Sequence, residues 1–232
     1  DFGASLPKSL TQLGHEVKAL LPGYAWLRKG TPILTLDVPM GPLVVSVPVH
    51  EAGEYGGVPY YCLGSGPLFD ENRVYGYEAF DETRFILFAK AVVALASVDG
   101  WSADVIHCND WHTGLIPQYA QSARCRDALG GTATVFTIHN MAYQGPMTEL
   151  GETLAGLGDD FKGNLLARGI AFADMVNTVS PRYMKEIQSP AQGEGLDGLI
   201  RARAADLRGI INGIDNEEYD PRTDPFIAAN YD

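Results

Sequence analysis

Cysteine is scarce in this chain, and that scarcity removes two classes at the outset. Three cysteines, Cys62, Cys108 and Cys125, are scattered over 232 residues. They are odd in number and too widely spaced for a disulfide framework or a zinc knuckle, so a reducing compartment is expected. Positive charge is also scarce: 17 Lys and Arg stand against 29 Asp and Glu, a formal charge of −12. Nucleic acid and anionic membranes both demand basic surface, so neither is an expected partner. No apolar run approaches the roughly 18 residues needed to cross a bilayer, and no signal peptide is visible. P-loop spacing is missing, no G-x-S-x-G surrounds Ser180, and a dinucleotide fingerprint is not expected. An initiator Met is missing too. Asp1 leads straight into a helical pattern, so the sequence is expected to begin inside a longer protein.

What the chain does carry is 46% apolar and 20% charged residues, the balance of a globular protein long enough to bury a substantial core. Leu6, Leu10 and Leu13 mark a helix over residues 3–13, with Pro7 tolerated in its first turn and Gly14 as its C-terminal cap. β-rich runs follow at 16–21, 33–38, 43–49 and 58–63, the middle two closing a hairpin around Met40-Gly41-Pro42. Residues 81–98 form the clearest helix. Phe85, Phe88, Val92 and Leu95 line one face and Asp81 suits its N-cap. Helices at 162–173, 181–187 and 196–205 then alternate with strands at 175–179 and 207–211, with Ser180 as an N-cap. The alternation predicts an α/β fold: a Rossmann-like, mostly parallel sheet with helices on both faces.

Two stretches repeat one grammar. Residues 103–112, A-D-V-I-H-C-N-D-W-H, run from a buried strand into His107, Asn109, Asp110, Trp111 and His112. Residues 132–140, T-A-T-V-F-T-I-H-N, deliver His139 and Asn140 after an apolar run. Ligands of open α/β sheets bind beyond the carboxyl ends of parallel strands, so the two ends are expected to feed one polar site. Three readings compete. Asp110 can cap a helix starting near Trp111, with the histidines merely hydrogen-bonded. His107, Asp110 and His112 can bind a metal, although their spacing fits no standard ligand pattern. Or a carboxylate and imidazoles face a polar substrate, with Trp111 as a stacking surface for a sugar.

Five segments together carry a resemblance: H-C-N-D-W-H-T-G-L, T-V-F-T-I-H-N-M-A-Y-Q-G, N-T-V-S-P-R-Y-M-K-E-I, G-E-G-L-D-G-L and I-I-N-G-I-D. In this order they resemble the bacterial and plant glycogen or starch synthases, from Asp1 to about Asp224. Asp1 resembles the last residue of the family's K-x-G-G-L-x-D signature, whose Lys and glycines are not in this sequence. The resemblance implies the N-terminal half of a two-domain GT-B glucosyltransferase. Such an enzyme moves glucose with retention from ADP-glucose, or UDP-glucose, to the non-reducing end of an α-1,4-glucan. No cofactor or metal is implied. The partners implied are the nucleotide sugar, a maltooligosaccharide or longer glucan, and a C-terminal nucleotide-binding domain of the same polypeptide. That domain and a first strand are expected to lie outside residues 1–232. The implied setting is the cytoplasm, or the plastid stroma in a plant or alga. Asp110 and His139 match catalytic positions that contact the transferred glucose. Asp1, His112, Asn140 and Asn212 match substrate-binding positions, and Asp81 and Arg84 a structural helix start. Leu68-Phe69 stands where many bacterial members carry a glucan-facing Tyr. A non-catalytic glucan-binding module and a metal-dependent hydrolase are the competing classes.

Overall fold

The computed structural model describes residues 2–70, 74, 76, 79–158 and 160–232. Helix α1 (Phe2–Gln12) stops as expected at Gly14, whose φ of 92° suits a residue without a Cβ. The hairpin forms around the expected turn, but its arms are longer: β2 (Lys29–Met40) pairs antiparallel with β3 (Leu43–Tyr55), Met40 opposite Leu43. Alternate residues Val38, Met40, Val47 and Val49 turn inward and are almost fully buried, the period-two pattern of a half-covered sheet. β4 (Val58–Leu63) runs antiparallel to β3 and parallel to β1 (Ala19–Pro22), closing a sheet of order β1-β4-β3-β2.

The second sheet is wholly parallel. β5 (Val105–Asn109), β6 (Ala133–Ile138), β7 (Met175–Thr178) and β8 (Leu207–Gly209) lie side by side in chain order. Across both sheets parallel pairings outnumber antiparallel ones, as the alternation of elements leads one to expect. Between the sheets runs α2 (Ala79–Ala96), touching β1, β2 and β4 as well as the helices that cover the parallel sheet. Ile86, Leu87, Ala91 and Val93 are as buried as Phe85, Phe88 and Val92. A helix covered on all sides has no need of an amphipathic stripe. It begins two residues before Asp81, whose carboxylate instead accepts the Gly76 N–H and pairs with buried Arg84. Arg84 also donates to the Leu68 and Val74 carbonyls, the structural role expected of this pair.

Three short helices escape the sequence pattern: α3 (Ile116–Gln121), α4 (Ala123–Arg126) and α5 (Glu149–Ala155). All of α3 except Gln121 is buried, so no polar face alternates with an apolar one. Thr148 starts α5 by accepting the Gly151 N–H, and Glu82 of α2 in turn holds the Thr148 N–H and hydroxyl. The remaining helices are shorter than the sequence suggests: α6 (Leu165–Phe172), α7 (Pro181–Glu186) and α8 (Asp197–Ala202). Asn164 and Ser180 cap the first two with their side chains, as expected for Ser180. Arg203 then holds the C-terminal end of α6, donating to the Ile170, Ala171 and Ala173 carbonyls. No helix of the described residues is long and apolar enough to cross a membrane.

Candidate functional site

β5 and β6 are in register with Asn109 opposite Thr137, so Asp110 and residues 139–140 leave the sheet at the same carboxyl edge. Asp110 then adopts φ 54° and ψ −177°. That region is nearly reserved for glycine and costs a residue with a Cβ about 1–3 kcal/mol. The unusual turn has a visible result. It swings the carboxylate across to β6, where Oδ1 accepts the backbone N–H of His139 at 2.8 Å and the Asn140 N–H also donates to it. Burial pushes the Asp110 carboxyl above its usual range, and these N–H donors oppose that push. Asp110 caps no helix with its side chain; it caps the end of a neighbouring strand.

His139 is held at its ring as well as at its backbone. Its Nε2 lies 3.1 Å from Asn109 Oδ1, and the Phe2 ring meets it edge-on with centroids 4.6 Å apart. His107 sits two residues earlier on the face of β5 that carries Asn109. Its Nε2 lies 2.6 Å from Thr137 Oγ1, whose hydroxyl donates to Asn177 Oδ1 at 2.6 Å. Burial, and after it the nearby His139, holds the His107 pKa below the usual imidazole value.

His112 turns the other way. Its ring stacks on Trp111 with centroids 4.0 Å apart, and both rings meet Phe85 of α2 edge-on. Burial lowers its pKa to about 4, with Asp81 opposing the shift. Trp111 is therefore part of the packing between α2 and the strand ends. Two motif glycines make that packing possible. A Cβ at Gly145 would lie 2.3 Å from the Trp111 ring, and one at Gly114 would lie 2.0 Å from the Leu165 carbonyl oxygen.

The expected site residues thus separate. Asp110, His139 and Asn140 come together. Asn140 is exposed and bends the following turn by accepting the Ala142 N–H at 2.9 Å. Asn212 is exposed in the segment after β8, at the sheet edge farthest from β5. Asp1 lies outside the described residues, as does much of the loop after Asp70; Phe69 itself is buried against Gly64. Asn109, named only as a polar residue at the strand end, and Thr137, Asn177 and Phe2 were given no site role by the sequence. Strict alternation from His107 and His139 would have picked out the first two as residues of the same face. His107, Asp110 and His112 point apart, and no group of three or more His, Cys, Asp or Glu among the described residues could hold a metal ion. Residues 193–198 do spell G-x-G-x-x-G. They follow a turn after α7 and open only the six-residue α8, which is not the strand–turn–helix context of a dinucleotide site. Gln144 ties that segment to the site loop by donating to the Glu194 carbonyl at 2.8 Å.

The starch synthase catalytic domain model matches residues 1–202. The chain is 39% identical to the glycogen synthase of Moorella thermoacetica and 41% identical to glycogen synthase 1 of Geobacter sulfurreducens. Each match covers 100% of this chain and 50% of the relative, so the chain spans about half the length of the curated relatives it matches. Among solved structures, the catalytic domain of starch synthase IV from Arabidopsis thaliana bound to ADP and acarbose superposes with a TM-score of 0.89 at 26% identity. That superposition takes in 100% of this chain and 51% of the other. The parallel sheet with polar strand ends and the matches along the whole chain agree: this chain belongs to the starch synthase catalytic domain family of glycosyltransferases.

Proposed function

We propose that this chain is the half of a retaining glucosyltransferase that receives the glucan and the glucose in transit. Glucose passes from ADP-glucose, with UDP-glucose as the other candidate donor, to the non-reducing end of an α-1,4-glucan. One observation carries the reading: a strained Asp110 whose carboxylate fixes His139 and Asn140 at the open end of two parallel strands. Strain of this kind persists where a site needs it.

The chemistry follows from what the site has. A retaining double displacement needs two carboxyl groups roughly 5–5.5 Å apart. The carboxylate at this strand end is Asp110, and its Oδ1 already accepts a backbone N–H, so it is poorly placed to become a nucleophile. Front-face transfer asks less of the protein. The bond from glucose C1 to the diphosphate oxygen breaks while the acceptor hydroxyl bonds to C1 on the same face, and the hydroxyl proton passes to the departing phosphate oxygen. His139 and Asn140 hold the sugar hydroxyls, and the buried negative charge of Asp110 favours the positive character that develops at C1. Asn212 and Asp1 complete the sugar contacts in this reading, while His112 acts from behind through packing.

The diphosphate needs cations that this chain supplies poorly. Lys8 is paired with Asp215 and Glu217, Arg168 with Glu152, and Arg203 is committed to backbone carbonyls. A second, nucleotide-binding half of the polypeptide provides them in this proposal, and the doubled length of the relatives supports it. The same reading expects a leading strand outside this sequence and a cytoplasmic or plastid setting.

The test joins the chain to the C-terminal half of the Moorella thermoacetica enzyme and supplies labelled ADP-glucose with a maltooligosaccharide. Incorporation by the joined protein, and none by the chain alone, is the expected result. The second reading is a glucan-binding module without catalysis. It is favoured if the folded joined protein binds the glucan, transfers nothing, and ignores both nucleotide sugars.

A further inference from the structure

The geometry points to Asn109 as a positioning residue that fixes the tautomer of His139, the β5 end of one of two parallel diagonal side-chain contacts on one face of the sheet. The diagonals follow from register. Asn109 stands opposite Thr137, so His107 and Asn109 of β5 share a face with Thr137 and His139 on the β6 side. Diagonal neighbours on such a face are within reach of each other's side chains. The two diagonals are both made, His107 to Thr137 at 2.6 Å and His139 to Asn109 at 3.1 Å.

Each diagonal dictates where the ring proton sits. The Thr137 hydroxyl gives its proton to Asn177, so it can only accept from His107, which puts the proton on His107 Nε2. Asn109 Oδ1 is likewise an acceptor, so neutral His139 also carries its proton on Nε2. Nδ1 of each ring is then a bare acceptor. For His139 this decides what it can recognise: a hydroxyl donor such as a sugar O–H, and not an unprotonated phosphate oxygen. Asp110 and Asn109, adjacent in sequence, divide the work. One holds the His139 backbone and the other its ring, with the Phe2 edge against the remaining side. The inference concerns ring chemistry alone and does not depend on the glucosyl-transfer reading.

The chain has five histidines, so the ring nitrogens can be followed one by one. Label histidine with 15N, assign His139 by its loss in His139→Gln, and record the ring spectra at alkaline pH where every imidazole is neutral. The parent chain is expected to show His139 and His107 each as a single tautomer protonated on Nε2. Asn109→Ala should turn the His139 signals into a tautomer average and leave His107 alone. Thr137→Val, close in shape, should do the reverse. Asn109→Asp keeps an acceptor at the same place and should restore the Nε2–H signature, which covers the case in which Asn109→Ala does not fold. A His139 ring protonated on Nδ1 in the parent, or unchanged by Asn109→Ala in a folded chain, overturns the assignment. So does Asn109→Asp behaving like Asn109→Ala.

Discussion

Two aromatic clusters flank Asp110, and they are built from similar residues for different ends. On one side Trp111 and His112 stack against each other and against Phe85, closed off by Gly145. On the other side His139 and His107 meet Phe2, with the His139 ring against Asn109 and the His107 ring against Thr137. The first cluster welds α2 to the strand ends. The second presents imidazoles at a sheet edge with their hydrogen bonds assigned. Composition does not separate the two; where the backbone turn at Asp110 sends each ring does. A ring whose environment is mostly aromatic is a packing element, whereas a ring oriented by an amide or hydroxyl keeps one nitrogen for a ligand.

The largest expected effect on this contrast comes from the residue between the clusters. Asp110→Ala removes the carboxylate that fixes His139 and Asn140, and turnover of the joined two-half enzyme should fall roughly 10²–10⁴-fold, about 2.7–5.4 kcal/mol. Steady-state kinetics on folded protein measures it. Turnover within a few-fold of the parent would leave the two clusters functionally alike.

A smaller effect is expected from acid. The folded His112 titrates near 4 against an ordinary 6.5, because burial favours its neutral form. Its contribution is fully present above about pH 6.5 and is lost as the pH falls toward 4, since the unfolded chain then binds the extra proton. At about 1.4 kcal/mol per unit, the loss reaches roughly 2–3 kcal/mol. Denaturant melts of the parent and His112→Phe across this window should show a shallower acid slope for the variant. Equal slopes would mean that the first cluster does not keep His112 desolvated.

The smallest effect separates strain from chemistry at Asp110. Both Asp110→Gly and Asp110→Ala lose the carboxylate, but only glycine takes φ 54° without penalty. The glycine variant should therefore be more stable by about 1–2 kcal/mol, near the low end of the cost of such a backbone. Equilibrium unfolding of the two variants decides it, and equal stability would remove the claim of stored strain.

These contrasts also mark what the sequence can tell. The strand ends were legible because Val105-Ile106 and Val135-Phe136-Thr137-Ile138 switch abruptly to His, Asn and Asp, a change packing alone does not explain. The hairpin turn, the Gly14 stop and the Ser180 cap were legible because each rests on one residue's local chemistry. The direction of His112 was not, because it depends on the single backbone turn at Asp110, which sends the chain toward α2 while its carboxylate turns back to β6. The roles of Gly114 and Gly145 were hidden for a related reason: what a Cβ would strike comes from Leu165 and Trp111, far away in sequence. Helices α3 and α5 stayed invisible because a buried or glycine-bearing turn of six or seven residues has no apolar stripe to read.

The most direct test sets the two histidines side by side. Turnover per folded molecule and melting temperature are measured for His139→Ala and His112→Ala in the joined two-half enzyme. His139→Ala should lose roughly 10²–10⁴-fold in turnover while its melting temperature moves only a few degrees. His112→Ala should lose about 1–3 kcal/mol of stability, several degrees, and keep turnover within a few-fold. The reverse pattern, with His112 carrying turnover and His139 carrying stability, would contradict the division between the clusters and the assignment of the site.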